Sequence, residues 1–163
     1  MKLLFAKFKC FSSWLNPSLV LLSLGFSLVF PVLAQAADFR SILPVKAITY
    51  DAPSAESNKL YIMNQGYPVE VIVDLGAWIK VRDQRSGLSW IEGKDLDRKQ
   101  MVLVTDNTDI RETESVDGKL IATVEKDVVL ELLSPKMNWG WVKVKHQNGI
   151  SGYIQSSAIW GLR

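Results

Sequence analysis

Few side chains in this sequence of 163 residues could catalyse a reaction. It contains one histidine, His146, and one cysteine, Cys10. A metal site would need a second histidine or cysteine at ligand spacing, and a Ser-His-Asp arrangement would need a serine held in a strained turn. The sequence offers neither, and His146 falls in a predicted turn that ends at Asn148-Gly149. We therefore expect His146 to be a solvated turn residue.

Two pairs of carboxylates stand close together along the chain, Asp95 with Asp97 and Glu112 with Glu114. Glycoside hydrolysis requires two carboxylates placed across a cleft at a defined separation, whereas neighbours in a charged loop are solvated by default. The glycines are scattered among hairpin turns and form no phosphate-binding loop. The sequence thus predicts a protein that is not an enzyme and that has no cofactor and no metal site.

Aromatic side chains with a polar tip are the positive signal. After residue 36 the chain holds five tryptophans and four tyrosines but one phenylalanine. Such side chains suit half-wet binding surfaces, where a flat apolar face and one hydrogen bond are both useful. A glycine between two tryptophans, as in Trp139-Gly140-Trp141, also leaves backbone room for a ligand. The residues predicted to bind a ligand are Tyr67, Trp78, Asp83, Trp139 and Trp141.

The first 36 residues have the pattern of a secretory signal. Three lysines without any acid precede an apolar stretch over 19–33, and Ala34-Gln35-Ala36 is typical of a signal-peptidase site. The apolar stretch is shorter than the roughly 20 residues of a spanning helix. Cleavage would also remove Cys10. We expect a periplasmic protein without a membrane span, with full secretion and an uncleaved anchor as alternatives.

The formal charge of +2 belongs to that segment. Without its three lysines, 16 of the 19 basic residues remain against 17 acidic ones, a net charge of −1. Phosphate binding needs a basic surface. A nucleic-acid partner is therefore not expected.

Short alternating runs dominate the sequence after residue 36, while helical periodicity is hard to find. Turn residues such as Gln65-Gly66 separate the runs. Strands are predicted at Leu60–Ile62, Val69–Val73, Trp78–Val81, Val128–Leu132 and Trp141–Val144. Strands at this spacing favour small barrels or a sandwich over a parallel sheet.

The sequence also repeats itself at an offset of 60 to 63 residues. The string Trp78-Ile79-Lys80-Val81-Arg82 returns as Trp141-Val142-Lys143-Val144-Lys145, and a second aromatic residue followed by isoleucine comes twelve positions after each tryptophan. Alternation places the two aliphatic residues of each string in the core and the tryptophan and lysine on the outer face. We expect both tryptophans to be partly exposed, and a ligand-binding role and a packing role stay open for each.

The repeated W-[IV]-K-V-[RK] strand and the glycine-containing turn before [WY]-I resemble the bacterial SH3-like (SH3b) family. Asp109-Ile110-Arg111 is similar to the N-V-R element that opens many of these domains, and Tyr50-Asp51-Ala52-Pro53-Ser54 is its degenerate counterpart without the arginine. The resemblance implies an all-β fold of two tandem small SH3-like β-barrels after a cleaved N-terminal signal helix. The expected segments are a signal peptide over 1–36, a first domain over 37–98 and a second over 99–163.

The resemblance further implies cell-wall targeting, with peptidoglycan or its stem peptides as ligands. Aromatic faces would stack on sugar rings, and carboxylates such as Asp83 or Glu92 would pair with stem-peptide amines. The alternative is a periplasmic protein–protein adaptor that binds a peptide of an envelope enzyme, either in an aromatic groove or along an exposed strand edge.

Overall fold

The computed structural model describes residues 37–162, and the predicted signal segment lies outside the described residues. The described residues form fourteen β-strands that belong to one compact unit. The first module contains β1 Phe39–Ile42, β2 Lys46–Tyr50, β3 Lys59–Asn64, β4 Pro68–Asp74, β5 Trp78–Arg82, β6 Leu88–Glu92 and β7 Leu96–Asp97. The second contains β8 Met101–Val104, β9 Thr108–Arg111, β10 Leu120–Val124, β11 Val129–Leu132, β12 Trp141–Lys145, β13 Ser151–Gln155 and β14 Ile159–Trp160.

The second module repeats the first strand for strand. The two antiparallel sheets have the orders β3-β2-β6-β5-β4-β1-β7 and β10-β9-β13-β12-β11-β8-β14. Helix within residues 37–162 is limited to two 3₁₀ turns, Gly93–Asp95 and Ser156–Ala158, which occupy the same place in each module. The predicted all-β fold with two tandem modules is confirmed, and each of the five predicted strands is present.

Each module has its own hydrophobic core, built by alternation along the strands. Ile79 and Val81 of β5 are buried with Ile91, and Val142 and Val144 of β12 are buried in the second core. Full burial of an aliphatic side chain of this size contributes about 1.5–3 kcal/mol. The fourteen strands described above and both of these cores lie within residues 37–162.

The contacts between the two modules include one turn and one aromatic pair. The β3–β4 turn reaches the second module, because a Cβ atom on Gly66 would lie 3.4 Å from both Met101 Cε and Val129 Cγ1. Phe39 of β1 meets Trp160 of β14 edge to face, with 5.1 Å between the ring centroids and 89° between the ring planes. The modules therefore present clefts at their junction that neither would have alone.

Candidate functional site

The five residues predicted to bind a ligand lie in three separate places. Tyr67 and Asp83 share a cleft at the junction of the modules. Trp78 packs on the outer face of the first module, while Trp139 and Trp141 belong to one turn of the second module but differ in exposure. The structure thus brings together only one pair of the predicted residues.

That pair belongs to a cleft of about 360 Å³, which we call the tyrosine cleft. Its floor is apolar and comes from both modules, with Met63 from β3 and Leu103 and Val129 from β8 and β11. Its polar side chains are Tyr61, Asn64, Tyr67, Asp83, Gln84, Arg85 and Asp127. Aromatic rings and carboxylates above an apolar floor are suited to a ligand with both flat apolar faces and hydroxyl or amino groups.

Asp83 holds the wall of this cleft in place. Its Oδ1 accepts hydrogen bonds from the backbone N–H groups of Arg85 at 2.9 Å and Gly87 at 2.8 Å, which close the β5–β6 turn. The hydroxyl of Tyr61 lies 3.2 Å from Asp83 Oδ2 and 3.2 Å from Ser89 Oγ. The main role of Asp83 is therefore to hold the β5–β6 turn through its Oδ1. Its Oδ2, which Tyr61 contacts, is the oxygen left for a ligand.

Both tyrosine hydroxyls stay protonated at neutral pH. Burial raises the pKa of Tyr61 above the ordinary tyrosine value, and the nearby Asp83 carboxylate acts in the same direction. Burial likewise raises the pKa of Tyr67, against the opposing effect of a hydrogen bond with the backbone of Gln84. Both groups are thus neutral phenols at the cleft. The Tyr61 O–H is already directed to Asp83 and Ser89, so its oxygen can serve a ligand only as an acceptor in this arrangement.

Sequence reasoning missed Asp127, which the second module contributes to the tyrosine cleft. Asp127 lies in the β10–β11 turn with φ +67°, the position that Gly66 holds with φ +78° in the β3–β4 turn of the first module. Within the described part of the chain its carboxylate has no hydrogen-bond or ion-pair partner, and the residue is exposed. Alignment of the two copies at their turns would have matched Asp127 with Gly66. An acid in place of a turn glycine is a signal that the sequence does contain.

Trp78 faces outward, as predicted, and is half-buried. Its ring meets Tyr50 edge to face at 5.2 Å between centroids. The row continues with Trp90, which pairs with Tyr50 across the sheet and lies beneath the ammonium group of Lys80, 5.9 Å from the ring centroid. The contact that Trp78 makes in the structure is packing on Tyr50, and its role in ligand binding stays a prediction.

The prediction that Trp141 is partly exposed is wrong, because only 7% of it is exposed. The outer face of the second module forms a recess of about 320 Å³ here, lined by Asp109, Arg111 and Val116 as well as Trp141. An outward-pointing ring is therefore still covered. Alternation along β12 correctly predicts that the Trp141 ring points to the outer face. It does not reveal that the segment after β9 covers this face.

Arg111 is structural in its visible contacts, as a partner of Asp109 at 2.8 Å and of the Gly118 carbonyl at 2.9 Å. It pairs with Tyr153 across the sheet, as Tyr50 pairs with Trp90 in the first module. Tyr50 therefore stands in the place of the arginine. The degenerate counterpart begins two residues earlier than the sequence suggested.

A second junction cleft, of about 480 Å³, also borders the β3–β4 turn. It contains Lys145, His146 and the ion pair of Lys99 with Glu131, whose charged atoms are 3.0 Å apart. His146 lies in the β12–β13 turn, where its Nδ1 is 3.4 Å from the backbone nitrogen of Asn148. Residues 37–162 contain no group of three or more His, Cys, Asp or Glu side chains placed to hold a metal ion, and none of their helical turns is long enough to span a membrane.

Comparison with known families follows the internal repeat. The family model described as bacterial SH3 domain matches residues 44–97 and again residues 106–161. The chain belongs to the bacterial SH3 domain family. Bacterial SH3 domains are generally non-catalytic binding domains.

Similar solved structures include three proteins of low sequence identity. NlpC2 and NlpC1 from Trichomonas vaginalis are each 16% identical over 77% of this chain, with TM-scores of 0.36, and the matches cover 48% and 46% of their lengths. An NlpC/P60 family protein from Bacillus cereus ATCC 10987 is 19% identical over 75% of this chain and 55% of its own, with a TM-score of 0.34. The chain spans about half the length of these proteins. No curated protein matches the chain.

Proposed function

We propose that this bacterial SH3 protein is an exported, non-catalytic module that binds peptidoglycan in the tyrosine cleft. The observation that carries the proposal is the meeting of Tyr61, Tyr67 and Asp127 above one apolar floor at the junction of the modules. Two tandem domains would then have one principal site between them, which needs both modules.

The composition of the cleft fits a ligand made of sugars and short peptides. Tyrosine rings offer apolar faces to sugar rings, and their hydroxyl groups can form hydrogen bonds with sugar hydroxyls. Asp127 offers an exposed carboxylate to an ammonium group of a stem peptide. Because this pair would be solvent-exposed, we expect it to contribute about 0–1 kcal/mol and to weaken with salt.

Co-sedimentation with purified, protein-free peptidoglycan sacculi tests the proposal, using residues 37–163. Asp127→Asn removes the charge and keeps a residue type that tolerates a positive φ. Tyr61→Ala removes an exposed ring, and Asp117→Asn is the matched control, since Asp117 is an exposed acid in a turn away from the cleft. We expect the first two variants to lose several-fold in retention and the control to bind as wild type does.

Wild-type protein that stays in the supernatant at micromolar concentrations would contradict the proposal. Equal retention of all three variants would leave wall binding intact but exclude the tyrosine cleft as its site. Circular dichroism and thermal unfolding of each variant separate loss of binding from loss of folding.

A second candidate function, the envelope adaptor, is favoured by the exposed edge strand β3. Among the described strands none pairs with its outer edge, and Leu60 and Ile62 are 46% and 58% exposed. An extended peptide could add to this edge as a further strand. Crosslinking from Ile62 in living cells, with recovery of one defined envelope protein and no retention on sacculi, would support this function instead.

A further inference from the structure

The turn between β11 and β12 presents a tryptophan in an unusual way. Asn138 and Trp141 exchange two backbone hydrogen bonds, of 3.0 and 2.7 Å, and the two residues between them both have positive φ, +47° for Trp139 and +82° for Gly140. This is the pattern of a type I′ turn, whose central positions favour Asn, Asp and Gly. A bulky aromatic residue at the first of them is uncommon in folded proteins.

The protein gains no packing in return for this backbone conformation. Trp139 is 96% exposed, so no residue of the described range 37–162 packs on either face of its indole ring. Met137 is 57% exposed and Leu133 is 44% exposed in the same segment. The other four tryptophans of residues 37–162 are buried or half-buried. Strained backbone that holds an apolar side chain in solvent points to a role in binding.

The segment that carries this tip contains lysines and no acid. Residues 133–143 include Lys136 and Lys143, both exposed, and no acidic residue, whereas the chain after residue 36 is nearly neutral. Lys145 lies further along β12, opposite Glu131 and beside the second junction cleft, and is not part of this surface. An exposed tryptophan and methionine flanked by lysines is the combination that binds the boundary between water and an anionic bilayer.

We propose that the 133–141 segment docks on the surface of an anionic lipid bilayer, with Trp139 inserted at the headgroup level. The shape of the site favours a membrane over a sugar or a peptide, because such ligands are held in concave sites with walls, whereas the ring of Trp139 has no wall. The contact would be peripheral and reversible. It is independent of the tyrosine cleft and would place a wall-binding module beside a membrane.

Sedimentation with sucrose-loaded vesicles tests this proposal, using residues 37–163 so that the apolar stretch over 19–33 is absent. Vesicles of phosphatidylglycerol and phosphatidylethanolamine are compared with vesicles of phosphatidylcholine. We expect binding to the anionic vesicles that falls as salt rises, and a blue shift of tryptophan emission on binding.

Trp139→Ala should lower the partition coefficient of the protein onto anionic vesicles roughly tenfold, because burial of one large apolar side chain is lost. Lys136→Glu should weaken binding to anionic vesicles only. The matched control is Leu75→Ala, which removes a 59% exposed apolar side chain from the corresponding β4–β5 turn of the first module and should change nothing.

Trp139→Ala that binds anionic vesicles as well as wild type would overturn the proposal, as would wild-type protein that ignores both kinds of vesicle. Retention on sacculi that Trp139→Ala abolishes, without any vesicle binding, would assign Trp139 to the wall ligand instead. Concentration-dependent self-association lost in Trp139→Ala would assign it to a second copy of the chain. Failure of sacculus binding in the wild type leaves the vesicle result unaffected, so the two proposals fail separately.

Discussion

Replacement of Trp160 by alanine should separate the two modules. The ring of Trp160 belongs to β14 of the second module and meets Phe39 of the first, which is only 7% exposed. Loss of a fully buried tryptophan costs about 3–5 kcal/mol, and the edge-to-face pair itself is worth about 0.5–1.5 kcal/mol. Because Trp160 is half-buried, we expect a loss of about 2 kcal/mol in the free energy of unfolding.

A loss of this size matters because a domain of about 60 residues is marginally stable alone. Calorimetry of residues 37–163 should therefore show one transition for wild type and a lower, broader or divided transition for Trp160→Ala. A double-mutant cycle with Phe39→Leu isolates the aromatic pair, and we expect a coupling of about 0.5–1.5 kcal/mol.

The reasoning would be refuted by a Trp160→Ala variant that unfolds in one transition within a degree or two of wild type. Additive effects of the two substitutions would also refute it, since residues in contact should couple. In either case the Trp160–Phe39 pair would not be what couples the modules, and their docking would rest on the other contacts at the junction, such as those of the β3–β4 turn with Met101 and Val129.

Further substitutions test the rest of the structure. Gly161→Ala should destabilise the protein more than Gly149→Ala does in urea unfolding. Both glycines have positive φ, but a Cβ on Gly161 would lie 2.9 Å from the Met101 carbonyl oxygen, whereas a Cβ on Gly149 would meet open space. Equal losses of stability would contradict the Gly161 contact. Burial, assisted by Glu92, raises the pKa of Asp95 in the folded state, so its ionised form is disfavoured by folding at neutral pH. Asp95→Asn should therefore raise the melting temperature at pH 7, and the gain should disappear as the pH falls below the ordinary aspartate pKa; a gain that persists in acid would exclude this cause. Trp141→Ala should lose about 3–5 kcal/mol in the free energy of unfolding and melt at a lower temperature, whereas Trp139→Ala should melt as wild type does. The reverse order of melting temperatures would contradict the burial of Trp141.

The repeated elements could be predicted from the sequence because their signals are local. Strand alternation identifies Ile79 and Val81, and the same spacing in the second copy identifies Val142 and Val144. The tandem fold could be predicted because the same motifs occur twice in register, although each motif alone is weak. The short closing strands β7 and β14 lack any such pattern, since two residues cannot show a period.

The candidate site was harder to predict because it depends on contacts between the copies. Tyr67 and Asp83 lie 16 positions apart in one module, but Asp127 joins them only through docking of the second module. The exposure of Trp139 and the burial of Trp141 have a different cause, which lies within the second module. One lies in a turn with positive φ, and the other lies in a recess that residues of β9 and the following loop complete.

The central claim is that the tyrosine cleft binds peptidoglycan, and nuclear magnetic resonance tests it most directly. ¹⁵N-labelled residues 37–163 would be titrated with purified disaccharide–peptide fragments of peptidoglycan, and the backbone amide shifts mapped. We predict saturable shifts at Tyr61, Tyr67, the Asp83–Gly87 turn and Asp127, with half-saturation moved to a fragment concentration up to about fivefold higher in Asp127→Asn. Shifts confined to other surfaces, or no shifts at millimolar fragment, would contradict it.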